Sequence, residues 1–104
     1  MKRFEVLADL YLYPTAQSGK ERAVWGSYRP IGFLRSDPVM GPDGDTGYGL
    51  FFELGERPLN PGEKRRAKLS FLVEESLDAF DKAKRFYVWD GRIVGEVTLV
   101  DQEN

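Results

Sequence analysis

The side chains that most often carry chemistry in proteins are missing from this 104-residue chain, which has no cysteine and no histidine. Their absence removes disulfides, thiolate and imidazole metal ligands, cysteine nucleophiles and histidine general bases. Carboxylates remain in pairs at Glu74-Glu75 and at Asp43 and Asp45, but no nucleophile or orienting group accompanies either pair. We therefore expect no catalytic residue, no metal and no cofactor, and predict that the chain is not an enzyme.

A phosphate-binding loop is the first binding motif to consider, because Gly19-Lys20 resembles the end of such a loop. The full motif requires a glycine where Pro14 stands and a hydroxyl where Glu21 stands. The sequence therefore predicts a plain surface loop here and no nucleotide as a partner.

The segment 36–49 is rich in glycine, proline and aspartate, a composition typical of a mobile, solvated loop. Asp43 and Asp45 are spaced as in a calcium loop, but that pattern requires an oxygen ligand where Gly47 stands and a glutamate where Leu54 stands. We expect a loop without metal, in a position from which loops often determine specificity.

Three cations alternate along the segment that begins at Lys64. Lys64, Arg66 and Lys68 share one face with Ser70, and the opposite face carries Arg65, Ala67, Leu69, Phe71 and Val73. Alternate residues of a strand are about 6.5 to 7 Å apart, which roughly matches the phosphate spacing of a nucleic-acid strand. The row indicates either an RNA-facing strand or a solvated edge strand whose charges discourage aggregation.

Length and charge restrict the class of protein. We expect one domain spanning residues 1–104, and the net charge of −2 does not demand a nucleic-acid partner. No apolar run resembles a signal segment or a membrane-spanning helix, so the expected location is the cytoplasm and no membrane partner is expected.

The remaining elements read as short strands separated by Gly and Pro turns, which predicts an antiparallel barrel or sandwich. The seven strand-like runs are 4–13, 22–25, 28–35, 48–54, 64–73, 85–90 and 92–100. In the first, Val6, Ala8, Leu10 and Leu12 alternate with polar residues, and Leu7 breaks the alternation. Only 74–84 has helical spacing, and a bent connection is an equal alternative.

Two stretches carry a resemblance to a known family. Tyr28-Arg29-Pro30 lies in the strand-like run 28–35, and Arg85-Phe86 precedes a hairpin about Asp90-Gly91 that continues through Arg92 to Gly95. Together with the Asn60-Pro61-Gly62-Glu63 turn, they resemble the C-terminal, third domain of bacterial elongation factor Tu, in order and in spacing. We expect Tyr28 and Pro30 to pack a barrel corner and Arg29 to pair with a carboxylate.

The resemblance implies an all-β fold, a closed six-stranded antiparallel β-barrel, present here as a free-standing domain. In the family this domain grips the T stem of aminoacyl-tRNA and packs against a GTPase domain, so it binds without catalysis of its own. The family's tRNA-contacting His-Thr corresponds here to Glu21-Arg22, and its glutamine after the proline corresponds to Ile31. The scaffold is retained while the RNA contacts are changed.

These observations favour a non-catalytic protein-binding module that presents an elongation factor Tu-like surface, as a decoy, a regulator or a toxin-neutralising partner. The alternative is an RNA- or tRNA-binding domain related to translation elongation. The predicted binding surface consists of Arg22, Tyr28, Arg29, Lys64, Arg66, Lys68, Asp90, Gly91 and Arg92.

Overall fold

The computed structural model describes residues 4–15 and 22–100. Its elements in chain order are β1 Phe4–Leu12, β2 Ser27–Tyr28, β3 Ile31–Phe33, β4 Tyr48–Gly49, β5 Phe51–Glu53, β6 Lys64–Phe71, α1 Glu74–Ala83, β7 Arg85–Trp89 and β8 Ile93–Leu99. No helix in these residues is long and apolar enough to cross a membrane. The predictions made for Gly19-Lys20 and Glu21 lie outside the described residues.

The described residues are mostly β, as predicted, and their eight strands form one antiparallel sheet in the order β2-β5-β6-β1-β8-β7-β3-β4. The long strand β1 lies at the centre, between β6 and β8. Its predicted faces are confirmed, because Ala8, Leu10 and Leu12 are fully buried while Leu7 is 44% exposed on the outer side. The alternation in the sequence therefore identifies the core face of this strand.

The prediction of a closed six-stranded barrel is wrong in strand number and in closure, since the sheet has eight strands and ends at β2 and β4. The physical reason is that Pro30 lacks an N–H and separates β2 from β3, while Leu50 separates β4 from β5. The segment that contains β2 and β3 still lies beside the segment that contains β4 and β5, and Leu50 N–H donates to the Pro30 carbonyl at 3.0 Å. Each segment thus contributes strands to both ends of the sheet.

A short strand expected at 22–25 is absent, and only Val24 forms an isolated bridge, to Leu59. Both backbone hydrogen bonds of that bridge are present, at 3.0 and 2.7 Å. The bridge ties the segment before β2 to the turn before β6, and this contact positions one of the two clefts described below.

The segment 74–84 is a helix, not a bent connection, and α1 packs its one fully buried side chain, Phe80, into the aromatic part of the core. The Phe80 ring lies 5.1 Å from Phe86 and 5.8 Å from Phe71, centroid to centroid. Lys84 ends the helix in the left-handed conformation, with its N–H donating to the Phe80 carbonyl. The core is one cluster shared by β1, β5, β6, β7, β8 and α1.

Candidate functional site

The two stretches that carry the family resemblance meet in space. The Tyr28 hydroxyl donates a hydrogen bond to Asp90 Oδ2 at 3.0 Å, across 62 residues of sequence. Burial, followed by the neighbouring Asp90 charge and its hydrogen bond, raises the pKa of Tyr28 above its ordinary value. Gly91 has φ +81°, a conformation that the turn requires and that glycine adopts without strain. This contact joins β2 to the β7–β8 turn and is structural.

Arg29 does not pair with a carboxylate among the described residues, contrary to expectation. Its guanidinium lies over the Phe51 ring, 5.5 Å from the centroid, because both side chains point outward from neighbouring strand segments. Pro30 is buried and Tyr28 stacks on Phe52 at 6.2 Å, so both residues pack against the core, but the closed barrel whose corner they were expected to pack is absent. The arginine remains on the surface and is accessible to a partner.

Arg29 and Phe51 line a surface cleft of about 390 Å³, which we call the Arg29 cleft. Leu72, which is 58% exposed, also lines it. Its charges balance, since Arg29 and Lys68 face two carboxylates. The complete lining is Glu5, Ser27, Arg29, Phe51, Phe52, Glu53, Lys68, Ser70 and Leu72. Aromatic, aliphatic and arginine side chains in a concave site are typical of protein interfaces.

The predicted row of cations lies on the outer face of β6, but acids stand beside two of its three members. Asp9 lies directly opposite Arg66 on β1, and its Oδ1 is 3.1 Å from Arg66 Nε. Glu5 Oε2 lies 3.9 Å from Lys68 Nζ, and Glu53 faces Lys68 from β5. The row is therefore largely neutralised and does not present a continuous positive track.

The third cation of the row, Lys64, stands opposite Tyr11 and lines a second cleft, of about 520 Å³, which we call the Arg57 cleft. Its charged lining comprises Arg57, Lys64 and Arg65 against one carboxylate, Glu63. Uncharged lining residues are Pro58, Leu59 and Asn60. This end of β6 thus carries an excess of two positive charges, in a chain whose net charge is −2.

Arg65 builds the wall of the Arg57 cleft. The guanidinium donates to the carbonyls of Arg57 at 2.6 Å, Pro58 at 2.9 Å and Leu54 at 3.4 Å. A planar fork of donors is suited to such multiple bonds, whereas an ammonium group is not. The side chain is half-buried below the row of cations, as the predicted alternation requires, and it holds the backbone between β5 and β6.

Glu63 is held by its own turn. The Asn60 backbone N–H and side-chain amide both donate to Glu63 Oε1, at 2.9 and 3.1 Å. The backbone hydrogen bond from Asn60 is the main reason that the pKa of the Glu63 carboxyl lies below its ordinary value, and Arg65 and Arg57 add to the effect. The Glu63 carboxylate therefore interacts more strongly with Asn60 than with Arg57 and Arg65.

The other predicted surface residues are dispersed. Arg22 is exposed two positions before the Val24–Leu59 bridge, and Arg92 is exposed directly after the Gly91 turn. Of the nine predicted residues, Arg29 and Lys68 line the Arg29 cleft, Lys64 lines the Arg57 cleft, and Tyr28, Asp90 and Gly91 form a structural contact. The prediction thus joined residues that the fold distributes over several surfaces.

No family model matches the sequence, and a comparison with curated proteins finds no match. The resemblance to the third domain of elongation factor Tu stays a prediction. It depends on the sequence motifs alone.

The acidic residues considered for chemistry have structural roles. Glu74 and Glu75 lie in the first turn of α1, where carboxylates interact favourably with the helix dipole. Asp45 accepts a hydrogen bond from Val39 N–H at 2.7 Å, and Arg35 lies 3.3 Å from Asp37, so the loop is internally braced. Within the described part of the chain, no group of three or more acidic side chains is arranged to hold a metal ion.

The sequence analysis did not identify the residues that supply the apolar surface of one cleft and most of the charge of the other. Phe51 and Leu72 supply the apolar surface of the Arg29 cleft, while Arg57 and Arg65 supply the charge of the other. Phe51 was detectable in principle, because it alternates with Leu50 and Phe52 and must face outward. Leu72 was detectable in the same way, because it follows Ser70 on the face that carries Lys64, Arg66 and Lys68.

Proposed function

We propose that this chain is a non-catalytic protein-binding module that presents an elongation factor Tu-like surface, as a decoy, a regulator or a toxin-neutralising partner. The observation that carries the proposal is the Arg29 cleft, where a guanidinium stacked on Phe51 lies beside the exposed Leu72. Arginine and aromatic side chains are enriched at protein interfaces, and Leu72 extends the apolar surface beside them. The balanced charge of the cleft suits a partner that is not a polyanion.

The alternative, RNA or tRNA binding, is less well supported by the surface. A protein that tracks a phosphate backbone gains affinity from each cation that replaces a bound counterion. Asp9 and Glu5 already lie beside Arg66 and Lys68, so the β6 row offers few charges for that purpose.

The decisive experiment compares protein capture by the wild-type chain and by the Leu72→Asp variant as baits in a bacterial lysate treated with ribonuclease. We expect a specific protein that the wild type retains and that Leu72→Asp loses, because a buried aspartate would be left without a partner in an apolar contact. Excess purified elongation factor Tu should reduce the capture, since the proposal requires that both present a similar surface.

Leu34→Asp is the matched control, because Leu34 is 50% exposed and lines a different cleft with Arg85 and Tyr87. It should capture the partner as well as the wild type does. Equal capture by wild type and Leu72→Asp would overturn the assignment of the site. Capture that ribonuclease abolishes would favour the RNA-binding alternative.

A further inference from the structure

The Arg57 cleft has a property that the proposed function does not use. Arg57 and Lys64 are exposed, and within the described residues neither has a carboxylate within ion-pair distance. Glu63, the one acid of the cleft, is bound to Asn60. The positive charge is therefore local, exceeds the single negative charge of Glu63, and borders a backbone segment that Arg65 holds in place.

We infer that the Arg57 cleft binds a short acidic segment, carrying one or two Asp or Glu side chains, of the protein partner. The inference rests on the proposed function and names the chemistry that the partner must carry. An arginine fork donates two parallel hydrogen bonds to a carboxylate, and Lys64 adds a point charge beside it. A cleft of about 520 Å³ has room for such side chains.

A nucleic acid is the less suitable ligand for the same charge. Phosphates recur along a strand, so a bound nucleic acid would continue from Lys64 onto Arg66 and Lys68. There it would meet Asp9 and Glu5, whose carboxylates lie at 3.1 and 3.9 Å from those cations and repel phosphate. A ligand with a limited number of negative charges, confined to the end of β6, avoids this repulsion.

The two clefts lie towards opposite ends of β6 and define a spacing in the partner. Lys64 and Lys68 are four residues apart on one face, which corresponds to about 13 Å along the strand. Leu72 is eight positions from Lys64, so a partner that places an apolar side chain against Leu72 must carry its acids up to about 26 Å away. An extended segment of about eight residues spans that distance.

The test uses fluorescein-labelled hexaglutamate as the probe and fluorescence anisotropy as the measurement, with the full chain. Because the net charge of the chain is −2, a polyanion is not attracted to the molecule as a whole. We expect salt-sensitive binding that falls at least about tenfold in the Arg57→Gln/Lys64→Gln variant, since each lost charge contact weakens an ion pair of this kind.

The matched control is Arg35→Gln/Lys82→Gln, which removes the same total charge from two exposed side chains outside the cleft. It should bind hexaglutamate within about twofold of the wild type, because distant exposed charges are screened. Equal losses in both variants would show a general charge effect and overturn the inference. So would the absence of any binding, or tighter binding of labelled oligouridylate that depends on Arg57 and Lys64.

The outcome is separable from that of the proposed function. Leu72→Asp leaves the Arg57 cleft intact and should bind hexaglutamate like the wild type. Protein capture that depends on Leu72 but not on Arg57 and Lys64 would leave the proposed function standing and remove this inference. Hexaglutamate binding without any captured protein would remove the proposed function and leave the Arg57 cleft as a site for acidic side chains.

Discussion

The two ends of β6 carry the same kinds of side chain in different surroundings. At one end Lys64 stands opposite Tyr11, beside Arg57 and Arg65. Towards the other end, Arg66 stands opposite Asp9, and Lys68 lies between Glu5 and Glu53. One end has an excess of positive charge, whereas the other is neutral and leads into the Arg29 cleft, whose lining includes Phe51 and Leu72.

The neighbouring strands, and not the sequence of β6 itself, therefore determine which positive charges of the row remain available to a partner. Exposed ion pairs contribute little to stability, typically about 0 to 1 kcal/mol. Their effect on recognition is larger, because a neutralised arginine no longer attracts a distant anion. The register of β1 against β6 therefore converts part of a positive strand into a surface without net charge.

The largest effect on stability should come from Arg65, whose guanidinium shapes the positive end. Arg65→Ala leaves three backbone carbonyls without their donor, and we expect a loss of about 2 kcal/mol in the free energy of unfolding. Urea denaturation measures this loss. Arg66→Ala, one residue along on the exposed face, should lose less than about 1 kcal/mol.

Arg65→Lys separates charge from geometry at the same position. An ammonium group keeps the positive charge but cannot reach three carbonyls with a rigid fork, so this variant should recover less than half of the loss. Equal stability of Arg65→Ala and Arg66→Ala would contradict the distinction between the two faces of β6.

Removing two carboxylates should give the neutral end of β6 an excess of positive charge like that at Lys64. Glu5→Gln/Asp9→Asn removes the carboxylates beside Lys68 and Arg66 while keeping the size of both side chains. We expect salt-sensitive affinity for tRNA at least about tenfold above that of the wild type, measured by gel shift at low ionic strength.

Glu74→Gln/Glu75→Gln is the control for this gain, because it changes the net charge equally on the first turn of α1. It should leave tRNA affinity near the wild-type value. A wild-type chain that already binds tRNA as tightly as Glu5→Gln/Asp9→Asn would show that the acids do not neutralise the row. That result would favour the RNA-binding alternative.

The sequence predicts the faces of β1 and of most of β6, because alternation is a local property. The prediction is wrong at the far end of the run 64–73, where Ser70 is buried and Val73 is exposed, because β6 ends at Phe71. The sequence also predicts the Asp90-Gly91 turn, which the structure contains. It does not predict that Asp9 lies opposite Arg66, since that pairing depends on a register between residues 57 positions apart. For the same reason the break at Pro30 was foreseeable, but not that the two halves, β2 and β3, pair at opposite ends of the sheet.

Glu63 provides the smallest and most selective test of the positive end. Its folded-state pKa lies below its ordinary value, so its stabilising contribution is present above that ordinary pKa and is lost as the pH falls through the folded-state pKa. If Asn60 is the main cause, the pKa of Glu63 should stay low in Arg57→Gln, because the Asn60 N–H still donates to the carboxylate. Carboxyl chemical shifts followed by NMR titration measure it.

The opposite result for the pKa of Glu63 would mean that the charge at the Lys64 end of β6 is compensated. A pKa of Glu63 that returns to the ordinary value in Arg57→Gln would mean that the carboxylate mainly neutralises Arg57. The Arg57 cleft would then hold compensated charge, as the row at Arg66 and Lys68 does, and its attraction for an acidic segment would disappear. A low pKa retained in Arg57→Gln leaves Arg57 and Lys64 as charges available to a partner.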